Sequence, residues 1–484
     1  MEGGGPSRKK RKPAGVETAD EAPEPAATEA PDAGVVGEED EGLVDRISSL
    51  PDAVLGDIIS LLPIDEGART QILATKWRHL WLSAPLNLDC THLLARFGRQ
   101  RATDVVSHIL SSHSGPGRRL RADNLHRFDL GAVDAWLRSG ALDNLQELEL
   151  GSDYYSTEVP HPSQTFRFAP TLRVATIKKC SLPDGTIQGL HFPLLKQLGL
   201  DYVSISECSL HSLIAGCPAI ECLLIRKSIG FGCLRINSLT LRSIGVDICT
   251  GFSENPVHLN ELIIENAPCL EKLLNLRFDT GLHVSVVSAP QLEAIGYLSD
   301  GYYNKAHQDY LTRFEFGSTI IQGLHVDKLA MVVRTVKTLA VQLRVLSLDT
   351  VIQLMACFPC LEKLYIRTAF RAREPKPNNL WRRKHRDLTR CPDIRLKTIV
   401  LNSYRGIKSE VNFVTFFVLN ARVLELVKLG GCSRNKEFLA EQRKKLQLDQ
   451  RASKGARIHF TTHNCVRYSL YHVRDLDLVD PFLL

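Results

Sequence analysis

Apolar residues in the stretch 50–81 recur at a helical spacing. Leu50, Val54, Leu55, Ile58, Ile59 and Leu62 fall on one wide apolar face. Two prolines punctuate the run. Pro51 suits the first turn of a helix, where its missing N–H is not needed, and Pro63 ends that helix. Asp65 then reads as the N-cap of a short second helix. Ile72, Leu73, Trp77, Leu80 and Trp81 continue the pattern through that helix and a third. Roughly 45 residues of compact helix cannot bury so many large side chains among themselves, so part of this surface is expected to face a partner.

Further along, the period changes. A proline, any residue and an aliphatic recur at Pro170–Leu172, Pro193–Leu195, Pro218–Ile220, Pro268–Leu270, Pro290–Leu292 and Pro359–Leu361. The steps between prolines are 23, 25, 50, 22 and 69 residues, near one, two or three copies of a single repeat. Several copies continue as L-x-x-L-x-L: Leu145–Leu148–Leu150, Leu195–Leu198–Leu200 and Leu361–Leu364–Ile366. Another, Leu172–Ala175–Ile177–Cys180–Leu182, reaches the cysteine position of such repeats. Ile236–Leu239–Leu241 and Leu259–Leu262–Ile264 read as further copies without the proline. In this pattern the alternating leucines of a short strand point inward, and stacking the units buries a continuous core. The prediction is an irregular leucine-rich-repeat solenoid with a parallel sheet on one side, and short helices, strands and loops on the other. Outward positions beside Leu198–Leu200 and Leu364–Ile366 should tolerate charge.

Towards the C-terminal side, Leu396–Ile399–Leu401 reads as one more repeat-type strand. A helix is predicted over 410–419, a strand over 423–426 and a polar helix over 437–449. This region should cap the end of the array, which repeat proteins need for solubility.

The first run resembles the F-box, with its L-P opening, the I-I-S-L-L-P end of helix one, the R-T that follows and the K-W-R-H-L-W close. F-boxes dock on the Skp-type adaptor of cullin-based ubiquitin ligases. By that resemblance, Leu50, Pro51, Val54, Leu55, Ile58, Leu62, Pro63, Leu73, Trp77 and Trp81 would form or support the docking surface. Gly67–Ala68 departs from the usual Ala–Val, and Gln71 from a common serine. Gly67 should loosen helix two, since glycine lowers helix propensity by ~1 kcal/mol relative to alanine.

The later region resembles the FBD domain through Tyr404–Gly406 (Y-R-G), Glu410, the L-N-A-R-V-L-E of 419–425 and the R-A-S-K-G-A-R of 451–457. Together these motifs resemble the plant-type F-box/FBD/leucine-rich-repeat family. The implied fold class is α/β (α+β overall): a small helical F-box, an irregular repeat solenoid with parallel strands, and an FBD cap. The implied organisation is a tail over 1–42, F-box 43–90, solenoid entry 91–144, repeats 145–370, a basic loop 371–390, FBD 391–462 and an extension over 463–484. The implied function is that of a substrate-recognition subunit of an SCF-type (Skp–cullin–F-box) ligase. Its partners would be a Skp-type adaptor, a cullin through it, and a target protein that the sequence does not name.

Composition adds little about partners. A net charge of +6 over 484 residues is small, but its distribution is uneven. Arg8, Lys9, Lys10, Arg11 and Lys12 form a basic cluster that looks like a nuclear localisation signal. The stretch 16–42 then carries ten carboxylates and no base, a composition expected of disorder. No apolar h-region follows Met1 and no run of apolar residues is long enough to span a bilayer, so neither secretion nor a membrane partner is expected. The expected location is the nucleus, the cytoplasm or both. Thirteen cysteines in such a chain should be reduced thiols, mostly small buried hydrophobes.

Candidate chemistry is thin. Cys357-x-x-Cys360 is half a zinc or redox site, but His459 and His463 lie far along the chain. Gly230-Phe-Gly232 lacks the third glycine of a dinucleotide loop. No nucleophile–base set stands out. The chain is therefore expected to have no catalytic site, metal or cofactor of its own. The basic stretch from Arg367 to Arg390, with Trp381 inside it, has a composition that suits a phosphate backbone. It would support the alternative of a nuclear nucleic-acid-associated or scaffold protein. Pro375, Pro377 and Asn378–Asn379 favour a solvated loop instead.

Overall fold

The computed structural model describes residues 47–151, 161–248, 257–274, 281–299, 312–343, 345–368, 394–467 and 469–484. The chain divides into two compact units, Met1–Leu50 and Pro51–Leu484. Of the first, the turn 47–50 is described, closed by the Leu50 N–H on the Ile47 carbonyl at 3.0 Å. The basic cluster at 8–12 and the acidic stretch 16–42 lie outside the described residues, as does the basic loop 371–390.

The second unit opens with three helices: α1 (Asp52–Leu61), α2 (Ile64–Arg69) and α3 (Thr75–Ser83). Pro51 holds the cap position of α1 in an extended conformation, and Asp52 places a carboxylate in the first turn, where the helix dipole favours it. Leu62 turns extended before Pro63, which stops the helix. Asp65 is not an N-cap. Pro63 occupies that position, and the Asp65 carboxylate instead reaches His92 Nε2 at 3.0 Å and Arg96. Gly67 is likewise not a weak point in α2. A Cβ there would lie 2.8 Å from the Trp81 ring, so the missing side chain is what lets that indole close against the helix.

A 14-stranded sheet follows, with its strands in chain order and every neighbouring pair parallel. It begins at Leu86–Asp89 and Gly117–Ala122, before the leucine pattern becomes readable at Leu145. It ends at Arg457–Phe460. Each of the six prolines of the repeat pattern lies four residues ahead of a strand of this sheet, and the aliphatic two residues on is buried every time. Pro193 precedes Gln197–Ile205 and Pro359 precedes Lys363–Thr368 in this way. The proline thus stops the preceding segment and phases the strand. The 69-residue step does not contain three equal repeats. One strand, Thr338–Leu343, divides it into unequal parts.

The longer part belongs to a second sheet. Cys233–Asn237, Glu261–Asn266, His283–Val286 and Arg313–Phe316 pair in parallel, and Thr319–Gln322 and His325–Lys328 add antiparallel strands. The copies read at Ile236 and at Leu262–Ile264 are in this sheet and not in the large one. Period-two alternation is the same for either sheet, so the pattern alone could not assign them.

The FBD region does not fold apart. Thr398–Asn402, Leu426–Leu429 and Arg457–Phe460 are the last three strands of the large sheet, which they lengthen. The predicted helix is Lys408–Asn420 and the polar one Lys436–Lys445. The predicted strand at 423–426 is displaced to Leu426–Leu429 because 421–424 forms a turn, with the Leu424 N–H on the Ala421 carbonyl. The final strand alternates exposed and half-buried residues, as an edge strand does.

Candidate docking surfaces

Two surfaces carry the sequence-predicted function: the helices α1–α3 and the outer side of the large sheet. On α1 the apolar residues divide into two stripes. Leu55 and Ile59 are fully buried, with Trp77, Leu80 and Trp81 of α3. Trp81 meets His113 edge to face at 5.4 Å. His113 Nδ1 accepts the Gly115 N–H, and burial pushes its imidazole below the ordinary histidine range, so the ring is a neutral acceptor. Val54, Ile58 and Leu62 form the other stripe, open to solvent at 43%, 40% and 39%. Leu73 is exposed nearby at 66%, and Pro51 and Pro63 are exposed at the two ends of α1. The ten predicted residues therefore separate. Pro51, Val54, Ile58, Leu62, Pro63 and Leu73 are accessible, and Leu55, Trp77 and Trp81 are the frame beneath them. Leu50 belongs to the turn of the other unit. Leu61 and Ile72 are more exposed still and were not picked out for docking, although Leu61 stands three residues after Ile58, on the same helical stripe.

The outer side of the large sheet was expected to be open. Its middle strands are covered by residues 465–467 and 469–484. Leu224, Leu274, Tyr297, Ala340, Tyr365 and Val400 face outward from six strands of its middle and are buried against Val466, Leu470, Val473, Leu476 and Phe482. The covering segment runs out and back. Val466 and Leu483 form an antiparallel bridge, the Arg467 N–H donates to the Phe482 carbonyl at 2.7 Å, and a short turn of helix, Val473–Asp477, makes the tip. Two glycines, Gly245 and Gly296, make room for it, and a third, Gly199, lies in contact with it. A Cβ on Gly199 would meet Val473 at 3.4 Å, one on Gly245 would meet Leu476 at 3.0 Å, and one on Gly296 would meet Phe482 at 2.7 Å.

Polar contacts fix the register of this layer. Asn402 Oδ1 accepts the Cys465 N–H at 2.8 Å, and Tyr297 donates to the Arg467 carbonyl at 2.7 Å. Lys272 donates to the carbonyls of Leu476 and Leu478. Tyr365 and Lys363 both reach Asp480. At the tip, Arg474 pairs with Glu147, Asp477 accepts from Gln197, and His472 lies 3.5 Å from Glu149. Burial opposes ionisation of Glu149, but His472 and the Lys178 ammonium, 2.8 Å from Asp123 as well, outweigh it and hold the carboxyl below its usual range.

Two further candidates, the Cys357–Cys360 pair and the Gly230–Gly232 turn, are placed as parts of the fold. Cys357 is buried at the end of the helix Leu348–Cys357, and burial pushes its thiol up to about 11; Cys360 follows in the turn. Among the described residues no group of three His, Cys, Asp or Glu side chains is placed to hold a metal. The Gly230–Gly232 turn is held by Glu207, whose carboxylate accepts the N–H groups of Gly232 and Cys233. Among the described residues no helix is long and apolar enough to cross a membrane.

Known protein families match two stretches of this chain. The family described as "FBD-associated F-box protein At5g56370, LRR repeats" matches residues 133–366, and the FBD family matches 385–429. An F-box/LRR-repeat protein of Arabidopsis thaliana is 29% identical over 249 residues, 47% of this chain and 52% of that one. Two FBD-associated F-box proteins of the same plant are 28% identical over 223 residues (43% and 48% of the two chains) and 30% identical over 187 (37% and 42%). The matches thus span about half the length of these relatives. With the repeat family matching 133–366, the FBD family matching 385–429 and relatives named for F-box, FBD or leucine-rich repeats, the chain belongs to the F-box/FBD/leucine-rich-repeat family.

Proposed function

We propose that this protein is a substrate-recognition subunit of an SCF-type ubiquitin ligase. Its helices α1–α3 dock on the Skp-type adaptor, the adaptor joins it to a cullin, and the repeat region engages a target. The chain performs no chemistry. It raises the effective concentration of target lysines near the charged conjugating enzyme. The observation that carries this reading is the exposed stripe Val54, Ile58 and Leu62, set on a buried frame that holds it rigid. Such a stripe is too apolar to be left to water and too well supported to collapse. Docking of standard size buries ~1,200–2,000 Å², with the energy concentrated in a few anchors.

The test is capture of a purified Skp-type adaptor by the full chain and by the double variant Val54→Asp with Ile58→Asp. Both positions are open, so the variant should keep its circular dichroism and lose at least about a hundredfold in affinity. Undiminished capture would remove the assignment. The cluster Arg8, Lys9, Lys10, Arg11 and Lys12 is proposed as a nuclear import signal. Deleting residues 1–42 should shift the protein to the cytoplasm under the microscope, and an unchanged distribution would reject that role.

A further inference from the structure

We infer that residues 465–484 are a resident ligand of the repeat face: they fill the surface a target would otherwise meet, and they leave it only when the repeats unfold. Three observations separate this from a free tail and from a lid. The contact is apolar on both sides, with Val466, Val473 and Leu476 fully buried against strand residues that would be exposed without them. The sheet is shaped for the segment, since side chains are missing at Gly245 and Gly296 where Leu476 and Phe482 come down. The segment is bonded at points spread along it, from Cys465 on Asn402 to Asp480 on Tyr365. A lid that lifted in the native state would expose apolar surface on both partners at once, which the hydrophobic effect opposes. The inference does not depend on what docks on α1–α3. It removes the strand row from the surfaces available to a protein target.

Three native cysteines around the helix Glu207–Ala215 test it in the full chain. Cys208 is exposed. Cys217 is buried on the inner side, its thiol on the Leu213 carbonyl. Cys222 is buried on the outer side beneath the segment, its Sγ 3.0 Å from Asp477. Under native conditions a thiol reagent read out by mass spectrometry should modify Cys208 at once. Cys222 should react together with Cys217, more than about a thousandfold slower, at a rate that follows global unfolding. Modification of Cys222 well ahead of Cys217, with the circular dichroism unchanged, would show a lid and overturn the inference. Deletion of residues 465–484 gives a second reading. The melting temperature should fall sharply, and a synthetic peptide of residues 464–484 should raise it again. An unchanged melting temperature would also overturn the inference, and if the truncated chain does not fold, the labelling order in the full chain decides.

Discussion

On α1, Val54 and Ile58 stand about two-fifths exposed on a helix whose other stripe is buried. On the large sheet, Leu224, Tyr297 and Tyr365 also present large side chains on strands whose other side is buried, yet they are closed off by the segment that follows Cys465. Both are second apolar faces of elements that already have a core. An apolar second face therefore does not reveal a docking site by composition. What distinguishes the two is whether the chain itself supplies the cover. For α1 the described residues supply none, and for the middle strands of the sheet they supply an apolar layer.

The largest effect that can break this comparison is a buried charge. Tyr365 lies between Leu364 and Ile366 and points outward, where the repeat pattern alone predicts tolerance of charge. It is 1% exposed. Tyr365→Asp would put an unpaired carboxylate beside Asp480 and against Phe482, and should cost about 4 kcal/mol in urea unfolding. Val54→Asp, on the open face, should stay within about 0.5 kcal/mol. Equal costs at the two sites would mean that the faces do not differ as described.

A smaller effect should follow from overpacking. A Cβ on Gly245 would lie 2.9 Å from Leu224 and 3.0 Å from Leu476. Gly245→Val should cost about 1–3 kcal/mol, while the same change at the exposed Gly185, with nothing within 4 Å, should cost far less. Comparable losses at both would argue that the covering segment does not rest on the strand.

Why one face was legible and the other was not is a matter of period. The strands of the large sheet could be read because proline and leucine recur in phase with them, as at Pro193, Leu195, Leu198 and Leu200. The helices of the first run could be read because their spacing is helical, but not which stripe faces out. That depends on where Trp77, Trp81 and His113 pack. The segment 465–484 has neither helical nor strand period, since it is a succession of bends, turns and one short 3-10 helix whose side chains are placed by the surface beneath it. The signal lay in its partner. The strand runs C-L-L-I-R at 222–226 and A-I-G-Y-L-S at 294–299 are apolar at both alternations, as in sheets covered on both faces.

Acid should weaken the repeat core at a definite place. His161 is fully buried beside Phe166 and the Cys180 thiol, and burial pushes its imidazole down to about 4. The neutral ring is the folded form, and the unfolded chain binds a proton near the ordinary histidine pKa of about 6.5. Its contribution is therefore complete above pH 6.5 and is lost as pH falls towards 4. At pH 5 the loss should be about 2 kcal/mol relative to pH 7. His161→Leu should flatten that part of the profile in urea titrations. An unaltered slope would place the proton uptake elsewhere.

The smallest effect sharpens the comparison most, because it probes the tip of the covering layer. Gln197 occupies an outward, half-buried position beside the inward Leu198, and the repeat pattern alone would make Gln197→Asp harmless. In the structure the Gln197 amide donates to Asp477, which also accepts from Cys222. The substitution removes a donor and sets two carboxylates against each other, at a cost of about 1 kcal/mol that added salt should reduce. Asp477→Asn would supply an amide in place of the second charge. The double variant should therefore recover most of the loss, with a coupling of about 0.5–1 kcal/mol in a double-mutant cycle. Leu198→Asp, one residue away on the inner side, should remain several times more damaging and show no coupling to position 477. If Gln197→Asp is silent and the cycle closes additively, the tip does not sit on the strand Gln197–Ile205, and this end of the sheet would be open to a partner after all.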